Sequence, residues 1–368
     1  MYKEENLVRI AKRENNKKRN YLVINKLQGK HIPVKPKKSF DMFHELAEIL
    51  QSRYPGEKLF IIGFAETATA IGASVAVRLG AFYIQTTREV IPDVNYIYFS
   101  EEHSHATEQK LVQEDIEEMI SKVERIIFVE DEVTTGKTIL NIIGILKKRY
   151  PSMQQYAVAS LLNGMDDNAR KTYKEQNIPL HYLIKTDHGS YIERAEQFAG
   201  DGEYIILNRQ KSEIQVKQME IHPSMNTRRV VDSTLYQKST EYLYQEIRKQ
   251  IEVKPAQKIL VLGTEEFMYP ALYVAKRLEE EGCDVRSHST TRSPICVDKS
   301  ANYPLHTRYQ MCSFYDPNRV TYLYDLSCYD KVLILTDATA ESMSEGRDSL
   351  IAALEMVGNK EIYVVRWC

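Results

Sequence analysis

Short apolar runs alternate with segments of helical periodicity along the first half of the chain. The runs, bounded by small or polar residues, predict strands. The segments between them, with apolar residues three or four positions apart, predict helices. This alternation is typical of an α/β fold with a doubly wound parallel sheet. Strands are predicted at residues 21–24, 59–63, 82–85, 126–129, 156–162 and 182–184, helices at residues 40–54, 73–79 and 139–146, and a polar loop at residues 86–110.

The same elements recur in the same order in the second half of the chain. Both halves have a strand that ends in Gly, a Glu three residues later and then a Thr-Thr-Arg tripeptide. Arg88 precedes Asp131 by 43 residues, and Arg292 precedes Asp337 by 45. Matches in one order at near-equal spacing indicate an internal repeat. We therefore predict two related doubly wound parallel-sheet domains in tandem, with bounds 1–222 and 230–368.

The segment of residues 126–138 carries the most informative chemistry. Four apolar residues predict a buried strand, and two carboxylates, Glu130 and Asp131, follow at its carboxyl end, where ligands bind in open α/β sheets. A loop that opens a helix then offers free N–H groups to a phosphate. The alternative is a solvated acidic turn before a helix that Thr134 or Thr135 caps. The pattern predicts a site for a phosphorylated sugar, with its phosphate on Thr134, Thr135, Gly136, Lys137 and Thr138.

Composition narrows the class of protein. The chain has 368 residues, enough for two domains, and its 43% hydrophobic and 27% charged residues are ordinary for a globular protein. A net charge of −2 argues against a general nucleic-acid binder, and no apolar run is long enough to cross a bilayer. Five cysteines without a C-x-x-C pair, in a chain without a secretory signal, predict reduced thiols and a cytoplasmic protein.

The order of strand, acid pair, Thr-Thr-Gly-x-Thr loop and helix resembles the motif for phosphoribosyl pyrophosphate (PRPP) of the type I, orotate-like phosphoribosyltransferases. The resemblance implies an enzyme that takes PRPP and a base-like acceptor as substrates, with Mg²⁺ assisting. It implies that Glu130 and Asp131 contact the ribose hydroxyls, that the loop holds the 5′-phosphate, and that Asp131 holds Mg²⁺ through PRPP. Glu132 departs from the family, which usually has an aliphatic residue there.

Further motifs extend the resemblance over nearly the whole chain. Thr290-Thr-Arg-Ser-Pro294 resembles the TRSP domain, which is found behind a bacterial phosphoribosyltransferase domain. Residues 27–34, 63–68 and 102–106 are similar to that transferase domain. The resemblance implies a link to tellurite-resistance and stress-response gene clusters, and to synthesis of a nucleoside-like metabolite. It also implies a homodimer, because the fold family often dimerises so that a loop of one subunit reaches its neighbour's site.

Two segments are placed like the pyrophosphate site of the family. The turn of Glu66, Thr67 and Ala68 lacks the lysine of orotate phosphoribosyltransferases, and Glu66 would repel pyrophosphate unless a metal intervened. The alternative for this turn is close packing of strand on helix. Arg88 suits a fork of phosphate oxygens. Its alternative is a surface salt bridge with Glu89 or a neighbouring residue.

Histidines and a lysine complete the candidates of the first half. His103 and His105 lie where the orotate-type family has a loop that closes over the site, and either would donate to the leaving phosphate or the base near neutral pH. The alternatives are a transition-metal site and an exposed loop. Lys30 and His31 lie in the N-terminal segment that supplies base recognition in this fold class. They are candidates for contacts with the acceptor, or part of an ordinary turn.

The second half keeps only part of this apparatus. Asp337 stands without a second acid, and the following loop, residues 338–346, is longer than its counterpart and carries two carboxylates. We predict a related ligand pocket or second active site in preference to an inert structural copy. Its candidate residues are Arg292, Ser293, Asp337, Ser342, Ser344 and Arg347.

Three functions compete on this basis. The main hypothesis is PRPP-dependent phosphoribosyl transfer to a base, or the reverse phosphorolysis, in the first half. The alternative is a sensor that binds PRPP or a nucleotide without catalysis, as the missing lysine and Glu132 suggest. The third is a phosphatase or hydrolase in the second half that uses Asp337.

Overall fold

The structure, a computed structural model, describes residues 2–14, 19–99, 109–207 and 214–368. Its helices are α1 (Glu4–Leu7), α2 (Pro36–Arg53), α3 (Thr69–Leu79), α4 (Gln113–Ile120), α5 (Lys137–Arg149), α6 (Asp167–Glu175), α7 (Tyr191–Glu196), α8 (Ser233–Gln250), α9 (Tyr269–Glu280) and α10 (Ser344–Met356). Its strands are β1 (Val8–Lys12), β2 (Tyr21–Asn25), β3 (Leu59–Gly63), β4 (Phe82–Gln85), β5 (Tyr96–Phe99), β6 (Gln109–Val112), β7 (Arg125–Val133), β8 (Tyr156–Asn163), β9 (Leu180–Lys185), β10 (Glu203–Ile206), β11 (Lys217–Ile221), β12 (Val231–Asp232), β13 (Lys258–Gly263), β14 (Asp284–Ser289), β15 (Thr307–Cys312), β16 (Val320–Tyr324), β17 (Lys331–Thr336) and β18 (Ile362–Trp367).

The first unit is built on a six-stranded sheet in the order β12-β4-β3-β7-β8-β9. Its strands are parallel except β12, which pairs antiparallel with β4 at one edge. Strands β3 and β8 are buried along their whole length, as expected of parallel strands that are covered on both faces. The register pairs Gly63 with Val129, so β7 continues beyond the end of β3 and carries Glu130 and Asp131 past it.

The second unit repeats this arrangement. Its five-stranded sheet has the order β11-β18-β17-β13-β14, with all pairs parallel. Strands β14, β13 and β17 occupy the places of β4, β3 and β7, and Gly263 pairs with Leu335 as Gly63 pairs with Val129. The prediction of two related parallel α/β sheets in tandem is therefore confirmed.

Three strands near the predicted boundary pair outside the unit to which the sequence assigned them. Strands β10 and β11 precede residue 222, yet β10 pairs with β15 and β11 with β18 of the second unit. Strand β12 follows residue 230, yet it pairs with β4 of the first. The bounds 1–222 and 230–368 therefore do not separate the two sheets, because edge strands are added across them.

The two units share one hydrophobic core. Helices α2 and α3 of the first unit pack against α8 and α9 of the second. The buried cluster runs without interruption from Phe43 and Leu46 to Leu243 and Val274. The N-terminal hairpin of β1 and β2 packs on the second unit, as Ile24 shares a cluster with Ile295, Val297, Tyr303 and Leu305. The units therefore meet along an extensive apolar surface.

The segment predicted as a polar loop between residues 86 and 110 is partly a hairpin. Strands β5 and β6 pair antiparallel, with Ile97 opposite Leu111, and both of these side chains are buried. His103 and His105 lie outside the described residues. No helix in the described part of the chain is long and apolar enough to cross a membrane.

Candidate functional site

The predicted acid pair lies within β7, which continues to Val133 and is longer than the predicted strand of residues 126–129, and it lies beside the turn that follows β3. Asp131 accepts a hydrogen bond of 2.9 Å from the hydroxyl of Thr67. Burial, and after it the negative charge of Glu132, raises the pKa of Asp131. Because β3 and β7 are adjacent and parallel, their carboxyl ends bring together two of the predicted segments. Oxygen ligands at this place fit a hard cation such as Mg²⁺, since a positive charge would offset the mutual repulsion of the acids.

The predicted phosphate loop opens helix α5. Gly136 is the N-cap residue, with a φ of 67°. A Cβ atom there would lie 2.5 Å from the hydroxyl oxygen of Tyr173, which donates to the Gly136 carbonyl at 2.6 Å. The N-cap residue is therefore neither Thr134 nor Thr135, although the Thr135 hydroxyl accepts from the backbone N–H of Lys137 at 3.4 Å. Beyond Lys137, the first turn of α5 offers backbone N–H groups to an anion.

Glu132, the departure from the family motif, has two basic partners. Its carboxylate lies 2.5 Å from an Nη atom of Arg19 and 3.2 Å from Nε2 of His188. Burial on its own would raise the pKa of Glu132, but Arg19 and His188 outweigh it and the pKa is lowered. His188 also contacts the hydroxyl of Tyr21 at 2.9 Å. A partly buried network thus ties the N-terminal hairpin to the motif.

The N-terminal segment also reaches the site through Gln28. Its amide donates to the Thr67 carbonyl at 2.7 Å, and its side chain hydrogen-bonds to Asp131. Sequence reasoning quoted Gln28 only as part of a motif, and it missed Arg19 and His188 altogether. These residues are far from the motif in sequence, and polar types alone did not single them out.

Lys30 and His31 do not line an open surface. The side chain of Lys30 is fully buried and its ammonium pairs with Glu66, while it also donates to the carbonyls of Glu265 and Thr290, both at 2.8 Å. His31 is buried beside His288 of the second unit, and burial lowers the pKa of both histidines to about 3. The structure therefore places both candidates in the contact between the units, where β14 and its loop cover them.

Strand and helix pack closely at the turn of Glu66, Thr67 and Ala68, and nearby cations offset the charge of Glu66. A Cβ atom on Gly72 would lie 2.9 Å from the Cα of Gly63, so strand and helix approach as the packing alternative expected. Burial would raise the pKa of Glu66, but Lys30 and Arg292 outweigh it and the pKa is lowered. The predicted repulsion of pyrophosphate by Glu66 is therefore largely neutralised by these cations.

The two Thr-Thr-Arg turns exchange hydrogen bonds across the units. The backbone N–H of Arg88 donates to Glu266 at 3.0 Å, and that of Arg292 donates to Glu66 at 3.4 Å. The two turns therefore meet with approximate twofold symmetry. Glu89 pairs with Arg292 and Arg319 of the second unit, so its ion pairs cross the contact.

Arg292 lies at the centre of this contact and not in an open cleft. Its guanidinium lies within 4.0 Å of four carboxylates, at 2.5 Å from Glu89, 2.7 Å from Glu265 and 3.5 Å from both Glu66 and Glu266. Ser293 uses its carbonyl to accept from the Tyr324 hydroxyl at 2.7 Å. Neither residue is placed as the sequence predicted, because the first unit covers this turn.

Two of the remaining residues predicted for the second unit line a cavity of about 330 Å³. Asp337 and Ser342 line it, and Asp337 accepts from the Tyr315 hydroxyl at 2.6 Å and pairs with Arg228. Ser344 is exposed at the start of α10, and Arg347 pairs with Asp348 at 2.8 Å. The structure brings two of the six predicted residues together at this cavity.

One group of potential metal ligands was missed because its members are distant in sequence. Glu220, His222 and Cys368 place one ligand atom each within 4.8 Å of one another. Arg366 pairs with Glu220 at 2.5 Å, and burial raises the pKa of the Cys368 thiol. A guanidinium and a proton therefore compete with a metal here, and we assign no ion to the group.

Two family models match this chain. The family described as phosphoribosyl transferase matches residues 7–193, more than half of the chain, and the domain described as TRSP, C-terminal to that transferase, matches residues 229–354. No curated protein matches. Among solved structures, adenine phosphoribosyltransferase from Rhodothermus marinus is 14% identical over 50% of this chain and 96% of its own, with a TM-score of 0.36. The enzyme from Giardia lamblia, complexed with 9-deazaadenine, is 14% identical over 50% and 95%, with a TM-score of 0.34. The chain therefore belongs to the phosphoribosyl transferase family, as an enzyme of that class with a TRSP domain behind the transferase domain.

Proposed function

We propose that the first unit catalyses Mg²⁺-assisted phosphoribosyl transfer between PRPP and a base-like acceptor, in synthesis or in phosphorolysis. The observation that carries the proposal is the contact between Asp131 and Thr67. It joins the acid pair of β7 to the turn after β3, with the helix-opening loop of Gly136 following on the same chain segment. One ligand that has a phosphate, a sugar diol and a second anionic group fits these three features.

Each feature has one task in this scheme. The loop of residues 134–138 donates backbone N–H groups to the 5′-phosphate. Glu130 and Asp131 accept hydrogen bonds from the ribose hydroxyls, and their negative charge stabilises the positive charge that develops on the sugar. The turn of residues 66–68 and the guanidinium of Arg88 face the departing pyrophosphate. Mg²⁺, held by Asp131 through PRPP, would supply charge neutralisation of the pyrophosphate.

The hairpin of β1 and β2 positions this apparatus. Gln28 orients Asp131 and the 66–68 turn together, and Arg19 holds the neighbouring Glu132 away from the phosphate loop. Without Arg19, the charge of Glu132 would lie next to the phosphate and oppose it. The unusual acid in the motif is therefore compatible with a phosphate ligand.

The test is PRPP binding and turnover by the full chain in the presence of Mg²⁺, with a panel of purine and pyrimidine bases. We expect pyrophosphate release with at least one base. Asp131→Asn should lower kcat/KM by a factor on the order of 100, the size expected for loss of one group that stabilises a charged transition state.

Asp167→Asn is the matched control, because it makes the same change at an exposed position of the same unit. It should leave turnover within about twofold, as exposed substitutions usually have small effects. Failure of the wild type to bind PRPP would overturn the proposal. Tight binding without product from any base would instead support the sensor.

A further inference from the structure

The cavity of about 330 Å³ lies between the units and is separate from the acid pair of β7. Asp337 follows β17 and lines this cavity, at the position in the second unit that Asp131 has in the first. The segment of residues 89–92 closes the cavity from the first unit, and residues 224–228 close it from the connection between them. The volume is within the range of small-molecule sites, about 300–1,000 Å³.

One wall of the cavity is apolar and the other is polar. Ile91, Met225, Phe267 and Trp367 supply aliphatic and aromatic surface. The polar wall has hydroxyl and carboxylate groups from Tyr315, Asp337, Thr339 and Ser342. A flat ring with attached hydroxyl groups would satisfy both walls at once, because rings pack on apolar and aromatic surface and hydroxyls need polar partners.

Arg228 gives a second, independent indication of a ligand. It lines the cavity, is only 6% exposed, and pairs through Nε with Glu266 and through Nη1 with Asp337. Its Nη2 atom is buried and has no hydrogen-bond acceptor among the described residues. A buried donor left without a partner costs about 1–3 kcal/mol. An acceptor on a bound molecule would offset that cost after a small movement of the side chain.

The cavity is unsuited to a phosphate. Its charged lining residues are Glu89, Arg228 and Asp337, two acids and one base. The segment that corresponds to the phosphate loop adds the carboxylates of Glu341 and Glu345. A dianionic group would therefore be repelled here, whereas the loop at the same place in the first unit carries no carboxylate between residues 134 and 138.

Asp337 can still accept hydrogen bonds from a ligand. Its Oδ1 accepts from Tyr315 and its Oδ2 from Arg228, and each carboxylate oxygen can accept a second hydrogen bond. A hydroxyl group of a sugar is the matching donor. The pairing with Arg228 and Tyr315 also argues against Asp337 as the exposed nucleophile of a hydrolase, the third function considered from the sequence.

We propose that this cavity binds an uncharged nucleoside. The base lies against the apolar wall, the sugar hydroxyls donate to Asp337 and contact Thr339 and Ser342, and a ring or carbonyl acceptor faces Arg228. Binding here does not depend on transfer in the first unit. The two proposals can therefore fail separately.

The experiment is ligand-observed NMR followed by calorimetry on the full chain, with adenosine, guanosine, cytidine and uridine and their 5′-monophosphates. At least one nucleoside should bind with a Kd below about 1 mM, the weak end of specific binding. Thr339→Phe, at an exposed lining position, should weaken it at least tenfold by filling the mouth of the cavity. Ala340→Phe is the matched control, because it adds the same ring at an exposed neighbour outside the lining and should leave the affinity unchanged.

The Asp131→Asn variant distinguishes the two sites. In that background the nucleoside should keep its affinity, and its 5′-monophosphate should bind at least tenfold more weakly than the nucleoside. The proposal is overturned if no nucleoside binds, if Thr339→Phe binds as tightly as the wild type, or if Asp131→Asn abolishes binding. PRPP binding by the Thr339→Phe protein, measured alongside, reports on folding and on the first unit.

Discussion

The two units share a scaffold and differ in the loops at the same sheet edge. In both, a parallel strand that ends in Gly lies beside a strand with an Asp two residues beyond the partner of that Gly, Asp131 in one unit and Asp337 in the other. In the first unit that acid is followed by a short loop with Gly136 at a positive φ. In the second, Asp337 is paired with Arg228 and Tyr315 and precedes a longer acidic loop. The comparison teaches that repeated strands keep a site in place while the loops decide what it binds.

The largest expected effect comes from the contact between the units. Arg292→Met would leave the buried carboxylates of Glu265 and Glu266 with one cation fewer, and we expect a loss of about 3–5 kcal/mol in the free energy of unfolding. Denaturant unfolding of the full chain measures it. Arg88→Met changes the matching position of the other turn. It should lower the free energy of unfolding by less than Arg292→Met does, and it should weaken PRPP binding by more. Equal losses of stability would contradict the difference drawn between the two turns.

The phosphate loop gives the next largest effect. Gly136→Ala places a Cβ atom at a φ of 67° and 2.5 Å from the Tyr173 hydroxyl, so the loop must move. We expect PRPP affinity to fall on the order of 100-fold, about 3 kcal/mol. Gly144→Ala is the control, since a Cβ atom there meets nothing within 4 Å in the same helix. That variant should bind PRPP normally and gain up to about 1 kcal/mol of stability.

The buried histidines of the contact predict a dependence of stability on pH. His31 and His288 have a pKa of about 3 in the folded chain, below the value of 6.5 for an exposed histidine. The unfolded chain therefore takes up protons first as the pH falls, and stability is lost below pH 6.5. Each histidine should cost about 2 kcal/mol between pH 7 and pH 5. Unfolding free energies at both pH values test this, and His288→Gln should reduce the dependence by about half.

The smallest effect is expected at the unusual acid of the motif. Glu132→Gln keeps the shape of the side chain and weakens its pairing with Arg19 and His188. We expect a loss of about 1 kcal/mol in the free energy of unfolding. The KM for PRPP should change by less than about threefold, because the acid is directed to Arg19 and not to the ligand. A KM that rises tenfold or more would place Glu132 in the substrate site.

Local pattern was enough to predict the central strands and the motif loop. Strand β3 is a continuous apolar run, β7 and β8 each contain one, and the alternation of strand and helix favours their parallel pairing. The exchange of β11 and β12 between units could not be predicted, since edge pairing depends on contacts across the whole fold. The roles of Lys30 and Arg292 were missed for the same reason. Each looks like a ligand contact from its residue type, and only the second unit explains its burial.

The reciprocal hydrogen bonds of Arg88 and Arg292 have a consequence for how the two sites can change. In a pair of identical chains, every substitution alters both halves of a symmetric contact and both sites at once. Here each half is encoded separately. A substitution of Asp337 leaves Asp131 unchanged. A residue of one Thr-Thr-Arg turn can likewise contact a residue of a different type in the other turn. A single chain of this kind is free to keep one site for transfer while the other specialises.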